Sequence, residues 1–226
     1  MKIINNDKNF NNIGLFLDDR EEYEKAVKMF KKAIKIDPSF AESYNNMGLS
    51  FEALGKYTEA INSYTKAIEL AGEEADIYYN RGLSYMKKLD FIKAIEDFSV
   101  VIAADEEDED ALYNRAIAYE KLGLFTKAIE DYTSILVIDP DDDETRNNRG
   151  IAYDNNAEYD KAIEDYTKVL EGNREDDEVY FNRALAYQKS GDLNNAIKDY
   201  DVVLKINPCD DEALSNKNHC LELLEK

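Results

Sequence analysis

Asparagine recurs at one position every 34 residues along this 226-residue chain, and an amide is suited to binding a polypeptide backbone. The asparagine row comprises Asn12, Asn46, Asn80, Asn114, Asn148, Asn182 and Asn216. Each amide has two donors and two acceptors, so a row of them can hydrogen-bond an extended peptide whatever its side chains. Asparagine is a mediocre helix former, so helix stability does not account for the row. Two explanations stay open: a binding surface, or amides that are inherited by repeat duplication or bond neighbouring helices.

Two further rows accompany the asparagines. Four residues before each asparagine stands Lys8 and then the acidic row, which is Glu42, Asp76, Asp110, Glu144, Glu178 and Glu212. Three residues after come the members of the aliphatic row: Leu15, Leu49, Leu83, Ile117, Ile151 and Leu185. Carboxylates in the first turn of a helix are favoured by its dipole, but a row of them also attracts a positively charged partner. Exposed aliphatic residues would form pockets for apolar side chains, unless helix contacts cover them.

Arginine and aspartate occur together in the last four repeats. The arginines are Arg81, Arg115, Arg149 and Arg183, and the aspartates are Asp97, Asp131, Asp165 and Asp199. Their matched occurrence predicts ion pairs, either within one repeat or between an aspartate and the next arginine, ending at Asp199 with Lys217. We interpret them as structural, since arginine can bind a carboxylate through two parallel hydrogen bonds. An anion-binding role for the arginines is the alternative.

The elements that carry these rows follow from the same 34-residue period. Small residues recur at Gly14, Gly48, Gly82, Ala116, Gly150 and Ala184, alanines from Ala26 to Ala196, and aromatic residues from Phe30 to Tyr200. Within a repeat, apolar residues fall at i, i+3, i+4 and i+7 twice over, which indicates two amphipathic helices. Gly55, Gly123 and Gly191 stand between the two helices, and Ser39 with Glu42 has the spacing of a capping box. The sequence predicts an all-α protein.

The first repeat reads Phe10-x₂-Ile13-Gly14-x₂-Leu17, then Ala26-x₃-Phe30, then Pro38, and resembles the tetratricopeptide repeat (TPR) signature. The resemblance implies a right-handed superhelical solenoid of six helix-turn-helix repeats, whose first helices line a concave groove. We place the repeats at about 7–40, 41–74, 75–108, 109–142, 143–176 and 177–210, with a C-terminal capping helix at 211–226, all in one array over 1–226. Arg146 departs from the pattern, because it takes the column held by Phe10, Tyr44, Tyr78, Leu112 and Tyr180.

Composition narrows the classes of function. The net charge of −21 argues against nucleic acid and against an anionic membrane surface as partners. No stretch approaches the roughly 20 apolar residues of a membrane span. One histidine, His219, and two cysteines, Cys209 and Cys220, cannot complete a four-ligand zinc site and form no disulfide framework, so we expect no metal and a cytoplasmic location. Neither a nucleophile–histidine–acid set nor a phosphate-binding glycine loop is present, so we expect no enzyme and no cofactor.

These observations together predict a non-enzymatic protein-interaction scaffold or adaptor. We expect it to bind an extended, basic peptide in the concave groove through the asparagine, acidic and aliphatic rows. The chaperone-binding members of the TPR family hold a peptide carboxylate with lysine and arginine, and here the corresponding places carry Asn11 and Leu15 or pairs such as Asp76 and Asn80. We therefore do not expect it to bind acidic chaperone tails. The alternative is a structural protein that self-assembles through the array ends or the convex face.

Overall fold

Residues 6–72, 74–173 and 175–225 are described by the computed structural model, and in these ranges the chain forms thirteen α-helices and no strand. The helices are α1 (Asn6–Asp18), α2 (Tyr23–Ile36), α3 (Ala41–Ala53), α4 (Tyr57–Ala71), α5 (Ala75–Lys87), α6 (Phe91–Ala104), α7 (Glu109–Lys121), α8 (Phe125–Ile138), α9 (Asp143–Asn155), α10 (Tyr159–Gly172), α11 (Asp177–Ser190), α12 (Leu193–Ile206) and α13 (Asp211–Leu224). Odd-numbered helices are the first helices of the predicted repeats and even-numbered helices are the second. The predicted all-α repeat solenoid is confirmed.

Two compact units divide the chain, Met1–Ala118 and Tyr119–Lys226. In the first unit each helix from α1 to α6 packs on the next, and the first helices α1 and α3, and α3 and α5, also touch. In the second unit each helix from α8 to α13 packs on the next, and α9 touches α11. Neighbouring first helices within a unit therefore lie side by side, which brings residues 34 apart in sequence onto one face. The prediction of one array over the whole chain stays a prediction.

Small residues in the first helices make room for the aromatic rings of the second helices. A Cβ added at Gly48 would lie 2.5 Å from Cε1 of Tyr64, and one added at Gly150 would lie 2.7 Å from Cε1 of Tyr166. Both rings are buried, with at most 1% of their surface exposed. A methyl group at these glycines would force the ring to move. The column of small residues thus serves helix packing.

The turn between the two helices of a repeat contains one residue with a left-handed backbone. Gly55, Gly123 and Gly191 have φ values of 68°, 71° and 91°, as predicted for the end of a helix. The equivalent residues of the other three repeats are not glycine: Glu21, Leu89 and Ala157 have φ values of 59°, 60° and 59°. A left-handed conformation costs a residue with a Cβ about 1–2 kcal/mol, so the packed repeat imposes this turn against local preference.

The predicted capping box at Ser39 is wrong. Helix α3 begins after Phe40, which makes no side-chain capping bond. The backbone N–H and the hydroxyl of Ser39 both donate to Asp37 Oδ1, at 2.9 and 2.6 Å, and these bonds lower the pKa of the Asp37 carboxyl. Aspartate caps six other described helices through its own carboxylate, at Asp90, Asp108, Asp142, Asp176, Asp192 and Asp210. In these helices an aspartate directly before the first turn therefore provides the N-cap, in place of a serine capping box.

Arginine and aspartate pair within one repeat. Arg81 Nε donates to Asp97 Oδ2 at 2.8 Å and Arg81 Nη2 donates to Asp97 Oδ1 at 2.6 Å. A third bond runs from Arg81 Nη1 to Thr65 Oγ1 of the preceding repeat, at 3.2 Å. Arg149 and Arg183 make the same three bonds, so each guanidinium joins its own repeat to the one before it. The expected pair of Asp199 with Lys217 is wrong, since Lys217 Nζ lies 2.6 Å from Asp201 Oδ1.

None of the helices in the described part of the chain combines the length and the apolar composition that crossing a bilayer requires.

Candidate functional site

Carboxylates and aliphatic side chains share the exposed face of the first helices. Every member of the acidic row is exposed in the first turn of its helix, and Lys8 is exposed as well. In the aliphatic row, Leu15 and Leu49 are 37% and 38% exposed, whereas Leu83, Ile117, Ile151 and Leu185 are half-buried. Within each unit the face therefore offers charge at the start of each first helix and apolar surface two turns further on.

The asparagine row is more deeply placed than the acidic row. Asn12 is exposed, Asn46 is buried, and Asn80, Asn114, Asn148, Asn182 and Asn216 are half-buried. Asn46 Nδ2 donates to Asn11 Oδ1 at 3.2 Å, and Asn114 Nδ2 donates to the Tyr79 hydroxyl at 3.2 Å and to the Asp110 carbonyl at 2.8 Å. In both cases a bond reaches the first helix of the preceding repeat. For these two amides the structure shows the second explanation, a bond to a neighbouring helix.

A column that the sequence did not single out lies directly before the asparagine row. Its members are Asn11, Asn45, Tyr79, Tyr113, Asn147, Phe181 and Ser215. Asn11 is 1% exposed and donates to Glu42 Oε1 at 2.9 Å, while its Oδ1 accepts from the Ser43 hydroxyl at 2.8 Å. Among the described residues, the side-chain oxygens of Asn45 and Asn147 are buried without a hydrogen-bond partner. Residue type varies along this column, so a search for repeated residues could not find it.

The second unit has an acidic depression of about 210 Å³ on this face. Its lining is Asp177, Glu178, Phe181, Asp210 and Glu212, contributed by α11 and by the start of α13. The Phe181 ring packs edge-on against Tyr200, with 5.8 Å between ring centroids, which fixes its position. Four carboxylates beside an aromatic ring give this depression a negative potential, which attracts cationic groups. The sequence predicted Glu178 and Glu212 and missed the other three.

Helix pairs that repeat every 34 residues, with neighbouring first helices in contact, define a helical repeat solenoid, a class of protein-interaction scaffold. The chain belongs to the tetratricopeptide repeat family. Family models described as "TPR repeat" match residues 19–55 and 50–88, and models described as "Tetratricopeptide repeat" match 75–108, 109–142, 143–176 and 177–208. Members of this family are generally non-enzymatic scaffolds that bind proteins or peptides.

Solved structures share the fold at low sequence identity. YrrB, a TPR protein with an unusual peptide-binding site, is 24% identical with a TM-score of 0.74, over 84% of this chain and 97% of that one. A TPR protein from Parabacteroides merdae is 23% identical with a TM-score of 0.72, over 88% and 79%. MamA is 26% identical with a TM-score of 0.70, over 74% and 91%. No curated protein matches the chain. These likenesses show the solenoid fold.

Proposed function

We propose that the chain is a scaffold whose first-helix face binds an extended peptide with basic side chains. The observation that carries this proposal is the acidic depression at Phe181, where Glu178 and Glu212 of the acidic row lie beside an aromatic ring. A lysine or arginine side chain fits such a depression, because it gains charge attraction and a cation–π contact together. The remaining exposed carboxylates of the acidic row favour the approach of the same partner.

The asparagines contribute to peptide binding in a revised role. Asn114 uses both amide hydrogens within the protein, so it offers a peptide an acceptor, Oδ1, for a backbone N–H. The bonds to Tyr79 and Asp110 hold that amide in a fixed orientation. A fixed acceptor loses less side-chain entropy on binding than a mobile one. The aliphatic row then lies within reach of alternate side chains of the same extended peptide.

A peptide-binding experiment tests the proposal in the second unit. The probe is a fluorescently labelled 12-residue peptide of alternating lysine and alanine, measured by fluorescence anisotropy at two salt concentrations. The double variant Glu178→Gln/Glu212→Gln should weaken binding about tenfold, because the depression loses two of its four carboxylates. Asn182→Ala should increase the dissociation rate with little effect on association, since hydrogen bonds act after encounter.

The matched control removes the same charge from second helices. Glu130 and Asp160 are exposed on α8 and α10, and the variant Glu130→Gln/Asp160→Asn also changes the net charge by two. It should bind the peptide as the unaltered protein does. Equal weakening by both double variants would mean that the peptide responds to net charge alone, and the first-helix face would lose its role. A peptide in which glutamate replaces lysine should show no binding.

A further inference from the structure

A second pocket in the same unit has a different chemistry. Its volume is about 540 Å³, and its cations come from α9 and α10: Arg146, Arg149, Lys161 and Lys168. The rest of its lining is Tyr153, Thr167, Glu164, Asp165 and Glu171. Four cations against three carboxylates give the lining a positive balance in a chain whose net charge is −21. Lys161 is paired with Glu158 outside the lining, so among these four cations only Arg146 has no carboxylate of the described residues within hydrogen-bond distance.

Arg146 adds a positive charge to this pocket, in a column where four other repeats have an aromatic residue. In the first repeat, Lys32 Nζ lies 5.3 Å from the centroid of the Phe10 ring. Phe10 is equivalent to Arg146, and Lys32 is equivalent to Lys168. The fifth repeat keeps the lysine and places a guanidinium opposite it instead of an aromatic ring, so an attraction becomes a repulsion between like charges.

The second repeat provides a close comparison. Lys66 is equivalent to Lys168, and each lies 2.8 Å from a glutamate three residues on, Glu69 or Glu171. That glutamate is the main reason why the pKa of each lysine is raised. Tyr44 raises the pKa of Lys66 slightly further, whereas Arg146, in the same column as Tyr44, acts to lower the pKa of Lys168. Lys168 is therefore paired with Glu171 and also has the like charge of Arg146 near it.

The hydrogen bonds of Arg146 are incomplete. Its side chain is 13% exposed, and Nε is buried without a hydrogen-bond partner among the described residues. The Asp143 carboxylate, which is half in solvent, comes no closer than 4.0 Å to Nε. Nη2 donates to the Pro140 carbonyl. Two of the pocket carboxylates are already engaged, Asp165 by Arg149 and Glu171 by Lys168. A guanidinium whose hydrogen bonds are incomplete is costly to bury, and an anion bound to its other nitrogens would reduce that cost.

We propose that the Arg146 pocket binds a phosphate group, with Arg146 and Lys168 as its principal ligands. A guanidinium and an ammonium together offer the charge-assisted hydrogen bonds that phosphate oxygens accept. The pocket is larger than a phosphate ion, so it has room for the group that carries the phosphate. Tyr153 does not offer a stacking surface for a base, because Arg149 and Lys161 both lie over its ring, at 5.7 and 5.2 Å from the centroid.

Two variants that copy other repeats test the site without disturbing the fold. Arg146→Tyr restores the residue found at Tyr44, Tyr78 and Tyr180, and Lys168→Val copies Val100 and Val202. Isothermal titration calorimetry with inorganic phosphate at low ionic strength should show binding to the unaltered protein. Each variant should weaken that binding at least tenfold. The matched control is Lys66→Val, which removes an equivalent lysine opposite Tyr44 and should leave phosphate binding unchanged.

Further arms identify the source of the phosphate and separate this site from the first-helix face. A phosphoserine peptide that binds at least tenfold tighter than inorganic phosphate, while its unphosphorylated form does not bind, would identify a phosphorylated protein. Equal affinity would identify a free phosphate compound. Glu178→Gln/Glu212→Gln should bind phosphate normally, so this proposal can hold even if peptide binding fails. Absence of phosphate binding to the unaltered protein, or equal losses in Lys66→Val and Lys168→Val, would overturn it.

Discussion

Arg183 holds Asp199 through two parallel hydrogen bonds, from Nε to Oδ2 at 2.7 Å and from Nη2 to Oδ1 at 2.9 Å. The two side chains are 15% and 9% exposed, so the pair is largely removed from water. Thr167 of the preceding repeat accepts a third bond, from Nη1, at 3.0 Å. The same geometry at Arg81 and Arg149 makes this pair a repeated structural element that fastens one repeat to the next.

Removing one partner of this pair should destabilise the protein strongly. Asp199→Ala leaves a guanidinium buried without its carboxylate, and we expect the free energy of unfolding to fall by about 3 kcal/mol. Adding Arg183→Ala should cost less than the sum of the two single changes, by at least about 1 kcal/mol. Urea denaturation followed by circular dichroism measures all four proteins. If the losses of stability in the two single variants added up to the loss in the double variant, the interaction between Arg183 and Asp199 would contribute nothing to stability.

A natural replacement for the pair provides the control. The second repeat has Met47 and Ser63 in these columns, and the Ser63 hydroxyl donates to the Glu59 carbonyl at 2.8 Å. Neither this variant nor the double alanine variant leaves a buried charge unpaired, but Arg183→Met/Asp199→Ser should retain more stability because its side chains fill more of the space.

At the left-handed turn positions, replacing alanine by glycine should stabilise the protein and replacing glycine by alanine should destabilise it. Ala157→Gly relieves a Cβ from a φ of 59° and should raise the free energy of unfolding by about 1 kcal/mol. Gly123→Ala imposes the same strain at a φ of 71° and should lower it by about 1 kcal/mol. Both residues belong to the second unit and end equivalent helices. Thermal unfolding measures the two shifts, and a loss of stability in Ala157→Gly would contradict the assignment of strain.

Glu52 should make stability depend on pH. The Tyr64 hydroxyl donates to Glu52 Oε2 at 2.9 Å, and burial raises the pKa of this carboxyl above its ordinary value of 4.5. The folded protein therefore binds the proton more readily than the unfolded chain does. The contribution of the protonated group to stability is complete below pH 4.5 and is lost as pH rises through the raised pKa.

Glu52→Gln removes this dependence and copies the sixth repeat, where the Tyr200 hydroxyl donates to Gln188 Oε1 at 2.9 Å. We expect a higher melting temperature at pH 7.5 and no difference at pH 4, because the glutamate is then itself neutral. The control is Glu59→Gln, at an exposed position on helix α4, because it changes the net charge by the same amount. An equal gain from Glu59→Gln at pH 7.5 would assign the effect to net charge and not to burial.

Most of the fold could be predicted from the sequence, because the residues that determine it recur every 34 positions. The glycine column and the aromatic ring that fills it, as at Gly48 and Tyr64, are fixed by contact within one repeat. A 34-residue period therefore predicts both helices and the turn between them. The capping box at Ser39 was wrongly predicted, because a serine followed three residues later by a glutamate has the same spacing whether or not Ser39 bonds back to Asp37.

The chemistry between repeats was less predictable. Whether Asp97 pairs with Arg81 or with the next arginine depends on the distance between helices, which the periodicity of one helix does not contain. The same holds for the amide bond from Asn114 to Tyr79, which joins residues 35 apart. The chemistry of the two pockets depends on single residues, Phe181 in one and Arg146 in the other. Phe181 lies in a column whose residue type varies, so repetition does not reveal it. Arg146 stands out in the sequence as a departure, but the sequence does not show the pocket around it.

The bonds between repeats have a consequence for how such a chain can change its length. Arg183 donates a hydrogen bond to Thr167 of the preceding repeat, and Arg149 donates one to Thr133 of the repeat that precedes its own. Excision of residues 143–176 removes Arg149, Asp165 and Thr167 together and brings Arg183 into register with Thr133. Recombination in units of 34 residues thus preserves this arginine–threonine bond at the new junction, so the chain can gain or lose a repeat without losing that contact.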